Sequence, residues 1–117
     1  MALILVIDDE QDVRTMLSMV LTRSGYEVEV AADGEAGLAL FMARRAETGL
    51  VLLDLSMPKM TGGEVLARIV ELEPEMPVVL LTGFADDVQG VDRAAEILYK
   101  PYRMNELIDV VRRYLGE

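Results

Sequence analysis

The sequence predicts an α/β fold: a doubly wound, five-stranded parallel sheet with five helices on its two faces, all in one domain over residues 1–117. Three observations predict it. The runs Leu3–Ile7, Leu50–Leu53 and Val78–Leu81 are apolar throughout, as strands buried on both faces are. The segments between them repeat their apolar residues at helical spacing. Polar side chains with chemistry to offer follow the runs directly, at the carboxyl ends of strands, where open parallel sheets bind ligands.

Taken in order, Leu3–Ile7 is a buried strand that stops at Asp8-Asp9-Glu10. From Gln11 the period changes: Val13, Leu17, Val20 and Leu21 mark a helix to about Arg23, ended by Ser24-Gly25. Tyr26–Ala31 alternates as YEVEVA, which predicts an edge strand with one wet face. Asp33-Gly34 turns the chain into a second helix that carries Ala36, Leu40 and Ala43 and ends before Thr48-Gly49. The strand Leu50–Leu53 runs into Asp54. Met57-Pro58 and Gly62-Gly63 then impose a loop, because proline lacks a backbone donor and glycine tolerates unusual dihedrals, and a third helix runs from Glu64 to about Leu72, closed by Pro74 and Pro77. Val78–Leu81 leads to Thr82-Gly83. Asp86–Ala95 predicts only a short, weak helix, since Gly90 lies inside it. Ile97–Tyr99 is a fifth strand before Lys100-Pro101, and Leu107, Ile108, Val111 and Leu115 mark an amphipathic last helix.

Composition narrows the function. Of 117 residues, 52% are hydrophobic and 27% charged, which is the profile of a globular domain rather than a disordered chain. There is no cysteine, so disulfides and thiolate chemistry are excluded. Histidine is absent too, which removes the usual general base and any phosphohistidine on this chain. A net charge of −10 argues against direct nucleic-acid binding, which needs clustered cations. The basic pairs Arg44-Arg45 and Arg112-Arg113 fall late in expected helices, where the helix dipole accounts for them. The apolar run Leu3–Ile7 is too short for a signal peptide or membrane span, which predicts a cytoplasmic protein with no membrane insertion.

Four of the five strands end in reactive side chains, Asp8-Asp9, Asp54, Thr82 and Lys100, while the second ends in Ala31-Ala32. That distribution fits the flavodoxin-like order 2-1-3-4-5, in which the second strand is an edge and the other four ends meet in one crevice. Packed carboxylates repel, so they either raise a pKa or take a hard cation; oxygen ligands suit Mg²⁺. Lys100 supplies compensating charge, and Thr82 a donor for a phosphoryl oxygen. Together these groups suit a carboxylate nucleophile that carries a phosphoryl group. Singly, each has a plainer reading: Asp8 to Glu10 as acids at a helix start, Thr82 as a turn residue, Lys100 as a solvated stem.

With these motifs assembled, IDDE at Ile7–Glu10, LLDLSMPKMTG from Leu52, LLTG at Leu80–Gly83 and YKP at Tyr99–Pro101, the chain resembles the receiver domain of bacterial two-component response regulators, of the chemotaxis-receiver type. The resemblance implies that Asp54 is the phosphoacceptor and contributes to the metal site. It further implies that Asp9 binds Mg²⁺ directly, Asp8 holds it through water, and the Ser56 backbone carbonyl completes the ligands. Thr82 and Lys100 would contact the phosphoryl group, and the Lys100–Pro101 bond would be cis. A sensor histidine kinase or histidine phosphotransfer protein would be the donor. An output domain or partner would read the face made by the fourth helix, fifth strand and fifth helix, where a phosphorylation-linked dimer could also form. Such a domain modifies itself and is not a turnover enzyme.

The sequence departs from the family pattern in places. Ile97 stands where an aromatic switch residue is usual; Tyr99, on the same strand face, is the remaining aromatic, with packing its simplest role. The stretch from Thr82 to Lys100 is short, which predicts a stunted or irregular fourth helix, and Gly49 stands where an acid is often found. Ser56 and Phe84 fall at positions that tune hydrolysis in the family. Three rival functions remain: a phosphorylation-independent interaction domain of the same fold, a Mg²⁺-dependent phosphate-ester hydrolase using Asp54, and a nucleotide binder. The hydrolase reading lacks a second carboxylate at Ser56, and the nucleotide reading lacks a glycine-rich phosphate loop after the first strand.

Overall fold

Each apolar run becomes a strand, and each helical period a helix. The computed structural model describes residues 2–55, 57, 61–83 and 91–116. In these the order is β1 (Leu3–Ile7), α1 (Gln11–Arg23), β2 (Glu27–Ala31), α2 (Gly34–Ala43), β3 (Thr48–Asp54), α3 (Gly62–Leu72), β4 (Val78–Thr82), a 3-10 turn (Val91–Arg93), β5 (Glu96–Tyr99) and α4 (Met104–Leu115). The strands form one parallel sheet in the order β2-β1-β3-β4-β5, as expected.

Strand alternation divides the core into two layers. Leu5 and Ile7 of β1, Val51 and Leu53 of β3, and Val78 and Leu80 of β4 pack on one face with Phe41 of α2 and Val65, Leu66 and Ile69 of α3. The intervening residues Ile4, Val6, Leu50, Leu52, Val79 and Leu81 pack on the other with Leu17 and Leu21 of α1 and Leu107, Val110 and Val111 of α4. All of β1 and the whole run Leu50–Leu53 are inaccessible, because helices cover both faces of the central strands.

Helix starts follow local chemistry. The Asp33 side chain accepts the Ala36 N–H at 2.8 Å and caps α2. Thr61 and Glu64 form a reciprocal capping box that opens α3 at Gly62, two residues earlier than the apolar period indicates. Gly116, with φ of 74°, ends α4 in the left-handed conformation that glycine adopts without strain.

The structure corrects several expectations. Five helices become four plus the 3-10 turn among the described residues; residues 86–90 of the expected fourth helix lie outside them. The rest of that segment cannot extend as a helix because the Ala95 N–H donates to the Val78 carbonyl at 2.9 Å and draws the chain onto the sheet. β2 is an edge, but its faces are not cleanly wet and dry: Val30 is 39% exposed and Glu29 half-buried. Arg44 is the reason for the latter, since it pairs with Glu29 at 3.0 Å, Glu27 at 2.9 Å and Glu47 at 2.5 Å. Arg45 pairs with Glu73 at 3.0 Å and Arg113 with Glu96, so these arginines have specific carboxylate partners beyond the helix dipole.

Two glycines set how closely the layers approach. A Cβ at Gly37 of α2 would lie 2.6 Å from the Ile7 side chain. One at Gly62 would lie 2.5 Å from the Leu55 Cα and 2.6 Å from the Asp54 carbonyl oxygen, main-chain atoms that a side-chain rotation cannot move. Gly62→Ala is therefore expected to lower stability to urea by about 1–3 kcal/mol, the usual cost of overpacking. Gly83→Ala, whose Cβ meets nothing within 4 Å, should lose no more than about 0.5 kcal/mol; equal losses in the two would refute the close-approach account.

Candidate functional site

The parallel register brings the candidate residues together. Ile7 of β1 stands opposite Leu53 of β3, so the next residues, Asp8 and Asp54, are neighbours at the carboxyl ends of adjacent strands. Asp54 in turn pairs with Leu81, which puts Thr82 one step beyond it on β4. Asp8 also has the strand parity of Ile4 and Val6, and Asp54 that of Leu50 and Leu52, so both follow the layer covered by α1 and α4. Asp8, Asp9 and Asp54 each bring one carboxylate oxygen within 4.8 Å of the others.

Asp8 and Asp54 are buried, at 0% and 3% exposure, whereas Asp9 is exposed. The Asp8 carboxylate accepts the Glu10 N–H on Oδ1 at 2.9 Å, which folds the Asp8–Glu10 turn back on itself at the start of α1. Its other oxygen, Oδ2, is buried with no hydrogen-bond partner. Burial pushes the Asp8 carboxyl above its ordinary 3.8; the Glu10 N–H and the Lys100 charge oppose the rise, and the charges of Asp9 and Glu10 add to it.

Lys100 follows β5 and puts Nζ 3.7 Å from Asp54 Oδ1, a loose ion pair at the site's edge. Its backbone N–H donates to the Thr82 carbonyl at 2.7 Å, tying together the ends of β4 and β5. Thr82 is buried, and the Lys100–Pro101 bond is cis, as the resemblance implies. The backbone carbonyl of Ser56, expected among the metal ligands, and Phe84 lie outside the described residues.

Three converging carboxylates, one with an unsatisfied buried oxygen, form a hard, all-oxygen donor set that could hold a metal ion. Such an ion would relieve both the mutual repulsion and the orphaned oxygen.

Two residues near the site escape the sequence reading. Arg14, on α1, donates from Nη1 to the Asp8 main-chain carbonyl at 2.8 Å. Its signal was a cation in the first turn of a helix, against the dipole. Tyr102 is half-buried, and burial followed by the charges of Asp8 and Asp54 pushes its phenol pKa up, so it stands within electrostatic reach of the acids. Nothing in its spacing announced that. At the usual aromatic position, Ile97 is half-buried against the α2–α3 layer. Tyr99 is 52% exposed on the edge strand, so the packing role expected of it is not met.

Comparison with known proteins agrees with this geometry. The family model of the response regulator receiver domain matches residues 4–112. The chain is 36% identical to the DNA-binding transcriptional regulator NtrC of Bradyrhizobium, over 97% of this chain and 24% of that protein. It is 38% identical to the probable transcriptional regulator ycf27 of Porphyridium aerugineum, over 96% of this chain and 47% of that protein. The chain thus spans about a quarter to a half of the length of these curated relatives. Among solved structures, a receiver domain protein of Clostridium thermocellum superposes with a TM-score of 0.91 at 31% identity, covering 99% of this chain and 95% of that one. The response regulator TrrA of Thermotoga maritima, solved with Mg²⁺ and BeF, gives 0.87 at 32% identity, covering 97% and 99%. Chemotaxis protein CheY4 of Vibrio cholerae gives 0.85 at 32% identity, covering 97% and 98%. A parallel sheet in the order 2-1-3-4-5, an acidic cluster at its carboxyl edge and a family match over nearly the whole chain together place this protein in the response regulator receiver domain family.

Proposed function

We propose that this domain accepts a phosphoryl group on Asp54, in a reaction that requires Mg²⁺, from a phosphohistidine on a sensor kinase or a phosphotransfer protein. The observation that carries the reading is the meeting of Asp8, Asp9 and Asp54 within 4.8 Å, with Lys100 Nζ 3.7 Å from the Asp54 carboxylate. This chain has no histidine, so the donor imidazole must come from another protein or segment.

Asp54 is the nucleophile: its oxygen bonds to phosphorus as the bond from phosphorus to the donor imidazole breaks. Asp8 and Asp9 would hold Mg²⁺, with Asp54 and the Ser56 carbonyl as further ligands. Bound there, Mg²⁺ would supply charge neutralisation for the transferred oxygens. Lys100 supplies the remaining positive charge, and its loose 3.7 Å approach to Asp54 leaves it able to follow the phosphoryl oxygens. Thr82 donates its hydroxyl to one of them. The domain modifies itself, and hydrolysis of its own aspartyl phosphate resets it, so it is a switch rather than a turnover enzyme.

The phosphorylated and unphosphorylated conformations differ in their contacts with a partner or output domain, which shifts the population between them. The reading surface is the β5 edge with α4 and the segment preceding β5. The net charge of −10 argues that this domain does not itself touch nucleic acid, a cytoplasmic location belongs to the same proposal, and no helix among the described residues is long and apolar enough to cross a membrane.

Intact mass after incubation with acetyl phosphate should show a Mg²⁺-dependent phosphoryl adduct on the wild type and none on Asp54→Asn. Normal incorporation in Asp54→Asn would refute the phosphoacceptor assignment. Failure of the wild type to bind Mg²⁺ with beryllofluoride would favour an interaction domain that works without phosphorylation.

Asp8→Asn should stabilise the metal-free protein by about 1–3 kcal/mol, because the amide still accepts the Glu10 N–H and removes a charge that burial and the neighbouring Asp9 and Glu10 disfavour. Because the folded-state pKa of Asp8 is raised, its favourable contribution is present below the ordinary 3.8 and is lost as pH rises through the raised value. The stability gap between variant and wild type should therefore open from about pH 4 toward neutrality. Millimolar Mg²⁺ should close it by stabilising the wild type alone. Urea unfolding at pH 4, 5.5 and 7, with and without MgCl₂, reads all three; a wild type at least as stable as Asp8→Asn at pH 7 without metal would contradict the burial argument.

A further inference from the structure

We propose that Arg14 is a positioning residue for the cation site: its guanidinium fixes the Asp8–Glu10 turn so that Asp8 Oδ2 is left for a metal ion. This rests on the reading that Asp8, Asp9 and Asp54 hold Mg²⁺, and it assigns a role to a residue that touches neither the ion nor the phosphoryl group.

Asp8 is held at its N–H, its carbonyl and one carboxylate oxygen, and its other carboxylate oxygen has no partner. The Asp8 N–H donates to the Ala31 carbonyl at 3.1 Å, which extends the pairing of β1 with β2 by one residue. Asp8 Oδ1 accepts the Glu10 N–H at 2.9 Å. The Asp8 carbonyl, past the end of β1, accepts Nη1 of Arg14 at 2.8 Å. The Arg14 N–H in turn donates to the Glu10 carbonyl at 3.1 Å, so one residue braces the turn through both its side chain and its main chain. Among the described residues, Asp8 Oδ2 alone is buried without a partner, and Asp8 belongs to the cluster that converges within 4.8 Å.

The choice of acceptor matters. Arg14 reaches the main chain of Asp8, yet among the described residues it forms no ion pair with a carboxylate and spends its donor on a neutral carbonyl. Had it bridged Asp8 or Asp9, it would occupy the oxygens a cation requires. Bound to the carbonyl, it orders the turn without competing for the ligands. The arrangement also explains a half-buried cation in the first turn of α1, where the helix dipole disfavours positive charge.

Charge and position predict opposite signs. In a protein of net charge −10, deleting a cation near the site should strengthen Mg²⁺ binding if Arg14 acts only by its charge. If it positions the turn, deletion should weaken binding. Arg14→Met keeps the apolar stem and removes the guanidinium; Arg14→Lys keeps the charge but not the planar fork. By titration calorimetry of the full chain with MgCl₂, Arg14→Met is expected to bind about tenfold more weakly than wild type, within the range found when groups that orient metal ligands are removed. Arg14→Lys should bind about threefold more weakly. The metal-free melting temperature should stay within about 3 °C of wild type in each, since local ordering rather than core packing is lost. Binding as tight as wild type or tighter in Arg14→Met overturns the proposal. Should Arg14→Met not fold, Arg14→Lys decides: unchanged or tighter binding there overturns it, and weaker binding at an unchanged melting temperature supports it. A wild type that does not bind Mg²⁺ defeats the metal-site reading itself, an outcome distinct from a wild type that binds and variants that bind equally well.

Discussion

A parallel ladder fixes what stands beside what, whatever the charge of the residues involved. With Ile7 registered on Leu53, Asp8 and Asp54 have to finish side by side, and moving them apart would require shifting two strands that are inaccessible along their whole apolar runs. A slip of one residue would exchange the two faces of β1, sending Leu5 and Ile7 into the layer now filled by Ile4 and Val6. The core thus enforces a repulsive arrangement at its rim. A carboxylate site can persist in a metal-free fold because the apolar layers on either side of the sheet hold it there.

The two ends of the sheet are treated differently. At the amino ends of the strands, charges are matched: Arg44 gathers Glu27, Glu29 and Glu47, Arg45 meets Glu73, and Arg113 meets Glu96 at the start of β5, where Tyr114 also donates to Glu96. At the carboxyl ends, among the described residues, one ion pair spans 3.7 Å and one buried carboxylate oxygen has no partner. Exposed ion pairs individually contribute little, so the contrast is less about total stability than about where it is withheld. The end that would take up a cation and a phosphoryl group in the proposed reaction is the end where a buried carboxylate oxygen is left without a partner, a common compromise between stability and function.

Most of the fold was legible because its determinants are local. Runs such as Leu3–Ile7 and Val78–Leu81 announce central strands by being apolar throughout, and the site acids were visible as the polar residues that end those runs. Strand order could be read because β2 alone ends in Ala31-Ala32. What was not legible depends on partners distant in sequence. Arg44 reaches 15 and 17 residues back to Glu29 and Glu27, so its place in the sequence suggested only a helix end. Val30 looks like a core residue by alternation and is exposed because β2 is the sheet's edge. The segment before β5 carried weak helical signals, and the bond from Ala95 to Val78 overrode them. Arg14 and Tyr102 became visible as neighbours of the acids only once α1 and the residues before α4 were laid on the same face of the sheet.

That geometry also constrains how a signal could leave the site. Thr82 is the register partner of Tyr99, and its carbonyl holds the Lys100 N–H at 2.7 Å, so the ends of β4 and β5 are tied to each other. In the proposed reaction both Thr82 and Lys100 would be drawn toward the new oxygens on Asp54. Displacement of either would load the same short ladder, whose outermost side chain is Tyr99, half exposed on an edge strand. Ile97, by contrast, is branched and half-buried against the α2–α3 layer, with few rotamers to exchange. A rotamer change at Ile97 is therefore a poor carrier of the response, and main-chain movement of the β4–β5 ends is the route this architecture leaves open.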